Sequence, residues 1–385
     1  MTLLSTTASW ADEEHRMFAE SASKFLEIEL RPNIEKWADE GLVEKGFWEK
    51  AGAMGLMGGS VDETFGGSGG DISYDAITAY LQAAKGDAGW GYGIQSIVIH
   101  YLNSYGSNEQ KAKWLPQLVS GKRIAALAMT EPNCGSDLQS IKTHAEKDGN
   151  QYKINGSKTF ITNGGSADLI CLAAKTDPKQ GSKGISLLMI ETDELEGFRR
   201  GKPLKKVGMK GNDTAELFFE NVKIPQTNLL GSEEGKGFYQ LMKQLPWERL
   251  YIGIAGLGAA DCALEETLKY VKERKAFGKR VFDFQNTKFK LAELKTKTEV
   301  TRSFINDCIQ KLVAGDLDAA TASMAKYWGS QIQGEILDEC VQLHGGYGFM
   351  AEYPVARMWT DARVQKIYGG TNEIMKELIA RSLDD

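Results

Sequence analysis

The sequence predicts an α+β protein, mainly helical, with a small β-domain set between two helical parts. Three observations predict it. From about Ser9 to Tyr105, apolar residues such as Phe18, Phe25, Leu26 and Leu30 recur at three-to-four spacing. Near Lys122 the period changes, and short strand-like stretches alternate with Gly, Asn and Asp turns as far as about Gly231. After Gly235 long helical patterns return. A chain of 385 residues is long for a single core, so division is expected near these changes of period, at 1–122, 123–233 and 234–385.

The first helical part is interrupted at Pro32 and again at Phe65–Gly70. The second interruption reads as a flexible turn, because no Lys-Ser/Thr follows it and no clear strand precedes it, as phosphate binding would need. Gly89-Trp90-Gly91-Tyr92-Gly93 suits a close helix contact or a pocket wall. The strands expected next are Ile124–Met129, Thr143–Lys147, Tyr152–Ile154, Leu169–Ala173, Ile185–Glu191 and Leu217–Phe219, with Asp148-Gly149 marking a hairpin. Their spacing suggests a small barrel or sandwich.

In the third part, Gln244–Leu250 reads as a helix starting or being re-aimed at Pro246, and one long helix is expected to run past Pro246 through Ala255–Ala263. Small residues from Ala255 to Ala263 allow close approach of a neighbour. This helix is expected to end near Arg274-Lys275-Ala276-Phe277-Gly278, closed by the glycine. Helices follow at about Gln285–Gly315 and Asp318–Leu343, and a last one begins near Thr371.

A formal net charge of -6 argues against general affinity for nucleic acid or an anionic membrane. The five cysteines form no C-x-x-C pair, which fits buried thiols in a reducing compartment. No two of the four histidines have H-x-x-x-H spacing, so no metal site is expected. Early acidic residues, Asp12 to Glu14, and the lack of a long apolar run suggest a cytoplasmic chain outside the membrane, or one of the mitochondrial matrix if a transit peptide was removed.

Several segments offer chemistry. Glu248, with Arg249 beside it, stands where a helix terminus is expected; such a pair is ordinarily a solvated surface charge, but a carboxylate there can also serve as a base. Thr130–Asp137 leaves a strand and supplies hydroxyls, amides and a turn glycine suited to a flat polar heterocycle. Phe160–Gly165 adds an aromatic face and another hydroxyl, and Arg274 could meet a pyrophosphate or merely complement a helix end. His344, beside two glycines, reads as a packed loop residue.

Five motifs stand in order along the chain: Met129-Thr130-Glu131-Pro132 with Gly135-Ser136-Asp137; Asn155-Gly156-Ser157-Lys158 to Thr162-Asn163-Gly164; Glu273 to Lys279; Gln342 to Gly348; and Tyr368-Gly369-Gly370-Thr371-Asn372-Glu373-Ile374. Their order and spacing resemble the acyl-CoA dehydrogenase family over nearly the entire length. Pro-x-Glu-Arg-Leu at Pro246–Leu250 and the run Tyr368–Arg381 resemble its long-chain branch in particular.

The resemblance implies an N-terminal helical domain, a middle β-domain and a C-terminal four-helix domain, assembled as a homotetramer of dimers. It implies FAD, with Leu127, Met129, Thr130, Ser136, Phe160, Ile161 and Thr162 at the isoalloxazine. Arg274, Phe277, Gln285, Gln342, Leu343, Gly345, Gly346, Thr371, Asn372 and Glu373 would meet the pyrophosphate and adenosine, some of them across a subunit interface. Ser136, Tyr239, Arg249 and Gly370 would line the acyl-CoA path.

Many members carry the catalytic glutamate in the Tyr-x-Gly-Thr motif, where this chain has Gly369. The resemblance to the long-chain and isovaleryl branches moves the base to Glu248. A second departure, Asn133-Cys134 where Gly-Ala is usual, predicts a bulkier loop.

The implied reaction is α,β-dehydrogenation of an acyl-CoA to a trans-2-enoyl-CoA, of medium or long chain in fatty acid β-oxidation. Glu248 would take the Cα proton with its pKa raised by burial, flavin N5 the hydride, and the Gly369 amide would bind the thioester oxygen. An electron-transfer flavoprotein would reoxidise the flavin. A flavin oxidase, a branched or terpenoid acyl-CoA dehydrogenase, and a DNA-binding flavoprotein relative are the alternatives, the last opposed by the acidic balance. Gly253, Gly256 and Gly258 would either open a roomy acyl cavity or serve helix packing.

Overall fold

The N-terminal part is a set of helices: α1 (Glu13–Phe25), α2 (Ile34–Glu40), α3 (Lys45–Ala53), α4 (Ser73–Ala84), α5 (Tyr92–Tyr105) and α6 (Asn108–Val119). The computed structural model describes residues 3–5 and 8–384; residues 1–2, 6–7 and 385, at the outer edges of the expected terminal parts, lie outside them. Asp12 caps α1 by accepting from the His15 amide, and Ser107 caps α6 reciprocally with Gln110. Pro32 falls in a 3₁₀ turn that follows one π turn, so the first helix changes course there. Helices α4 and α5 are buried on most sides and form the centre of this part.

The glycine-rich segment after Phe65 is closely packed rather than flexible. A Cβ on Gly67 would lie 2.0 Å from the Val61 carbonyl oxygen, and the Gly69 and Gly70 amides donate to Val61 and Gly59.

The middle part is a seven-stranded sheet that curls as a half-barrel or sandwich around its own apolar cluster, with Ile154, Ile170, Leu188, Leu217 and Phe219 inside. Its strands are β1 (Ala125–Ala128), β2 (His144–Asp148), β3 (Gln151–Thr162), β4 (Leu169–Lys175), β5 (Ile185–Glu191), β6 (Phe198–Arg200) and β7 (Thr214–Pro225). They run in the order β1-β4-β2-β3-β7-β6, with β5 on β4. The expected hairpin joins β2 to β3, its loop Gly149-Asn150 opening on a glycine at φ +62°. Strands β3 and β7 extend well beyond their expected lengths, and β6 was not foreseen. Register shifts between Ile154 and Gly156 and between Lys158 and Ile161 break the two-residue period that marks a strand in sequence.

The C-terminal part is a helix bundle of α7 (Gly237–Glu273), α8 (Gln285–Ala314) and α9 (Ala319–His344), with α10 (Pro354–Ala362) and α11 (Asn372–Arg381) packed on α9. Two expectations are corrected here. Pro246 does not start a helix: as the expected run past it requires, it lies inside the unbroken 37-residue α7. The amide it lacks would have met Met242, on an exposed stretch where water can serve the carbonyl. Gly278 does not close α7 either. The helix ends at Glu273, and Phe277-Gly278, at φ +51° and +79°, turn a two-stranded ribbon of β8 (Lys275–Ala276) and β9 (Lys279–Arg280).

The glycines of α7 serve packing. A Cβ on Gly253 or Gly256 would meet the Ala325 or Gly329 carbonyl oxygen of α9 at 2.7 or 2.8 Å, and one on Gly258 the Tyr80 oxygen of α4 at 2.5 Å. A buried ion pair fastens the same region, with Arg302 of α8 donating to both oxygens of Asp261 on α7 at 2.6 and 2.8 Å. Tyr80 of α4 donates to that carboxylate at 2.7 Å. Among the described residues no helix is long and apolar enough to cross a membrane.

Candidate active site

Glu248 lies in the fourth turn of α7, where helices of both terminal parts and the sheet converge. It is 6 % exposed, so it is not a surface charge, and its position deep in α7 gives it no helix terminus to lean on. Its Oε1 accepts a 2.7 Å hydrogen bond from the Tyr101 hydroxyl of α5. Burial raises its pKa from an ordinary 4.5 to about 7, against smaller opposing effects of the Tyr101 hydrogen bond and the Arg249 charge. Cys171 of β4 is close enough to sense that carboxylate: burial first, then Glu248, push its thiol up to about 12. A carboxyl that titrates near neutrality in a dry pocket can take a proton from a weak carbon acid and release it again.

One helical turn beyond Glu248, on the same face of α7, is Ile252. Its Cδ1 would lie 2.5 Å from a Cβ on Gly369. The turn Gly369-Gly370, at φ +63° and +89°, therefore sits against the Glu248 face, and glycine alone gives the backbone this approach.

A second cluster lies at the ends of β1 and β3. The Thr159 amide donates to the Thr130 oxygen at 2.9 Å and Lys158 Nζ donates to the Met129 oxygen at 2.8 Å, so these two segments run side by side. Lys158 also meets Glu131 at 2.8 Å, and Glu131 accepts from the Lys142 and Thr143 amides at 2.6 and 3.0 Å. Burial acts to raise the Glu131 carboxyl, but the Lys158 charge and these donors outweigh it and bring it below its ordinary value. On this frame Phe160 stands 69 % exposed at φ +58° in a bulge of β3, beside Thr162. Leu127 and Ile161 are buried, while Met129, Thr130 and Thr162 are half-buried and Ser136 is exposed. Cys134 turns inward, its thiol donating to the Asp137 oxygen at 2.8 Å, so the bulkier side chain is absorbed by the interior and Asn133 faces out.

A third cluster surrounds a cavity of about 590 Å³ lined by Tyr270, Arg274, Gln342, Leu343, Gly345 and Gly346, among others. His344 is packed there, stacked on Tyr270 with centroids 4.3 Å apart and its Nδ1 2.8 Å from the Cys340 oxygen. Phe277 projects from the ribbon turn, 95 % exposed, and Gln285 is exposed at the start of α8. Thr371 caps α11 and Glu373 is exposed, whereas Asn372 is buried with its side chain committed to Lys326 and Ser330 of α9. Arg249 is likewise buried and donates to Ser323 at 3.2 Å. Tyr239, near the start of α7, is exposed. These placements separate many of the sequence-derived residues into a group around Glu248, a group at the ends of β1 and β3, and a cavity bordered by Arg274.

Tyr101 and the Lys158–Glu131 pair were missed as site features. Lys158 and Glu131 stand within the quoted motifs, but nothing in the sequence joins Tyr101 to a residue 147 positions away.

Three family descriptions match the chain in order: acyl-CoA dehydrogenase N-terminal domain over residues 12–122, middle domain over 126–222 and C-terminal domain over 235–383. The chain belongs to the acyl-CoA dehydrogenase family. It is 50 % identical over 373 residues to the mitochondrial long-chain specific acyl-CoA dehydrogenase of Rattus norvegicus, covering 96 % of this chain and 86 % of that one. The crystal structure of an acyl-CoA dehydrogenase from Geobacillus kaustophilus superimposes with a TM-score of 0.95 at 48 % identity, over 98 % of this chain and 100 % of that one. A glutaryl-CoA dehydrogenase from Mycobacterium smegmatis, solved with FADH2, gives 0.90 at 28 % identity over 97 % and 95 %.

This acyl-CoA dehydrogenase is thus an oxidoreductase that uses FAD and acts on acyl-CoA thioesters. Its residues fit that cofactor. Phe160 offers an exposed aromatic face two residues from Thr162, and the Gly369-Gly370 turn packs against Ile252 of α7 with no side chain of its own between them. Arg274 faces the Tyr347 ring, 5.7 Å from its centroid, and among the described residues has no ion pair, leaving its donors for a phosphate.

Proposed function

We propose that the enzyme removes two hydrogens from Cα and Cβ of a medium- or long-chain fatty acyl-CoA, giving the trans-2-enoyl-CoA, with Glu248 as the base. One observation carries this reading: a carboxyl group sealed from water, without a cationic partner in hydrogen-bond contact, whose pKa of about 7 matches the work of abstracting and releasing a proton. Glu248 accepts the Cα proton. The Gly369 amide, on the same side of α7, stabilises negative charge developing on the thioester oxygen. FAD, when bound, supplies at N5 the acceptor for the hydride that leaves Cβ. Thr130 and Thr162 offer hydroxyls to its ring edge, while Arg274, Gln342 and the amides of Gly345 and Gly346 offer donors to the dinucleotide end. Ser136, Tyr239 and Gly370 border the entry for the thioester.

The family relationship supports an electron-transfer flavoprotein as the electron acceptor rather than oxygen. The exposed apolar residues of the C-terminal bundle, Phe277, Phe289, Val300, Phe349 and Ile367 among them, support assembly as a homotetramer.

Glu248→Gln tests the base. The variant is expected to keep its bound yellow flavin and lose about 10²–10⁴-fold in turnover, the range for an essential general base. In the wild-type enzyme kcat/KM should rise through an acid limb centred near pH 7, where Glu248 ionises. Turnover within a few-fold of wild type in Glu248→Gln would reject the assignment. Anaerobic bleaching of the flavin by a series of acyl-CoAs would then define the chain length.

A further inference from the structure

Tyr101 has no place in the chemistry described so far, yet it is fully buried and its hydroxyl touches the reacting carboxylate. We infer that Tyr101 is a positioning residue, reaching from α5 to α7 to fix the orientation of the Glu248 carboxylate and to keep it charged in a dry pocket. This rests on the reading of Glu248 as the base.

The geometry leaves the hydroxyl one role. Its proton lies on a 2.7 Å line to Glu248 Oε1. Burial, then the Glu248 charge, hold its own pKa well above the ordinary phenol value, so it stays a donor at every working pH. It cannot itself be the base. The other groups facing Glu248 do not replace it. Arg249, adjacent on α7, acts on Glu248 through charge alone and donates to Ser323 instead. Cys171, from β4, keeps its proton because burial and Glu248 both raise it. His100, next to Tyr101 on α5, packs edge-on against the Trp247 ring, 5.7 Å between centroids, with its Nε2 3.3 Å from Asp75.

A carboxylate with one donor has one defined lone-pair direction in use, which leaves the remaining oxygen for the substrate carbon. The bond also spans two domains. Helix α5 belongs to the N-terminal part and α7 to the C-terminal bundle, so the orientation of the base depends on how these parts dock.

Tyr101→Phe keeps the ring and removes the donor. The midpoint of the acid limb of kcat/KM is expected to move up by about one pH unit, the scale of a charge-assisted hydrogen bond. At pH 7 activity should fall about five-fold and recover at higher pH, with flavin content unchanged. A second readout does not depend on turnover. In the substrate-free holoenzyme, the infrared band of the protonated Glu248 carboxyl, identified by its absence in Glu248→Gln, should titrate at the same raised pH.

Tyr105→Phe is the control. Its ring is 6.2 Å from that of Tyr101, and both midpoints should stay at wild type.

An unmoved midpoint in both readouts for Tyr101→Phe, or a loss of activity equal at all pH values, overturns the positioning role while leaving the base intact. Wild-type turnover in Glu248→Gln overturns the base instead, and the infrared midpoint still decides whether Tyr101 donates to Glu248.

Discussion

Glu131 and Glu248 show nearly the same surface to water, 7 % and 6 % exposed, yet Glu248 has more protein packed around it and the two carboxyls shift in opposite directions. Glu131 is met by the Lys158 ammonium and by two backbone amides, which more than offset its desolvation. Glu248 is met by one neutral hydroxyl, and desolvation prevails. The first carboxylate is a permanent anion that holds the loop after β1 against β3. The second can change charge without breaking any framework. What separates the structural glutamate from the proposed base in this molecule is therefore the number and charge of its donors together with how far the surrounding protein shields it from water.

The sharpest way to break this comparison, after the loss of turnover in Glu248→Gln, is Lys158→Met. It leaves the Glu131 carboxylate buried without its cation, and stability should fall by about 3–5 kcal/mol, measured by urea unfolding at neutral pH. The folded-state pKa of Glu131 is depressed, so the pair contributes stability above the ordinary carboxylate range and loses it as pH falls through the folded value. The deficit of the variant should accordingly shrink in acid. Flavin retention should weaken with it, because the Met129 carbonyl loses its anchor. A deficit below 1 kcal/mol would mean that the two glutamates are not held differently.

Glu248 predicts the reverse sign. Its folded pKa is raised from 4.5 to about 7, so as pH rises through that window the unfolded chain gives up its proton first and the fold is destabilised. Glu248→Gln removes this burden. Above pH 7 the variant should be more stable than wild type by on the order of 3 kcal/mol, with little difference near pH 4. Equal stabilities at pH 8 would show that the carboxyl is not strained by its surroundings.

The two glutamates also differ in how much of their setting the sequence carries. The helix, strand, helix order follows from hydrophobic period, and Asp318 and Thr371, where helices are expected to begin, are the N-caps of α9 and α11. Glu248 came from Pro-x-Glu-Arg-Leu and from the glycine at 369, not from the local pattern, which suggested a helix terminus that α7 does not have. The partners that determine its charge were illegible, because Tyr101 is brought to it only by the docking of α5 on α7. Bulges hid the full lengths of β3 and β7 for a related reason: an alternating pattern is lost wherever a strand slips by one residue. The α7 glycines were ambiguous because a small residue next to a cavity and one beneath a crossing helix look alike until the neighbour is present.

A smaller effect tests how the Gly369 turn packs against the Glu248 face of α7. Gly369→Ala places a Cβ at φ +63° and 2.5 Å from Ile252 Cδ1. The left-handed backbone conformation alone should cost about 1 kcal/mol, and the contact adds to it. Because Cδ1 is the far end of a flexible side chain, Ile252→Val should remove the contact and leave the backbone term. The double variant is therefore expected to be more stable than the sum of the two single changes predicts, by a few tenths to 1 kcal/mol in a double-mutant cycle followed by urea unfolding. Strict additivity would place the Gly369 turn away from α7. The amide proposed for the thioester oxygen would then stand too far from Glu248 to act on the same substrate.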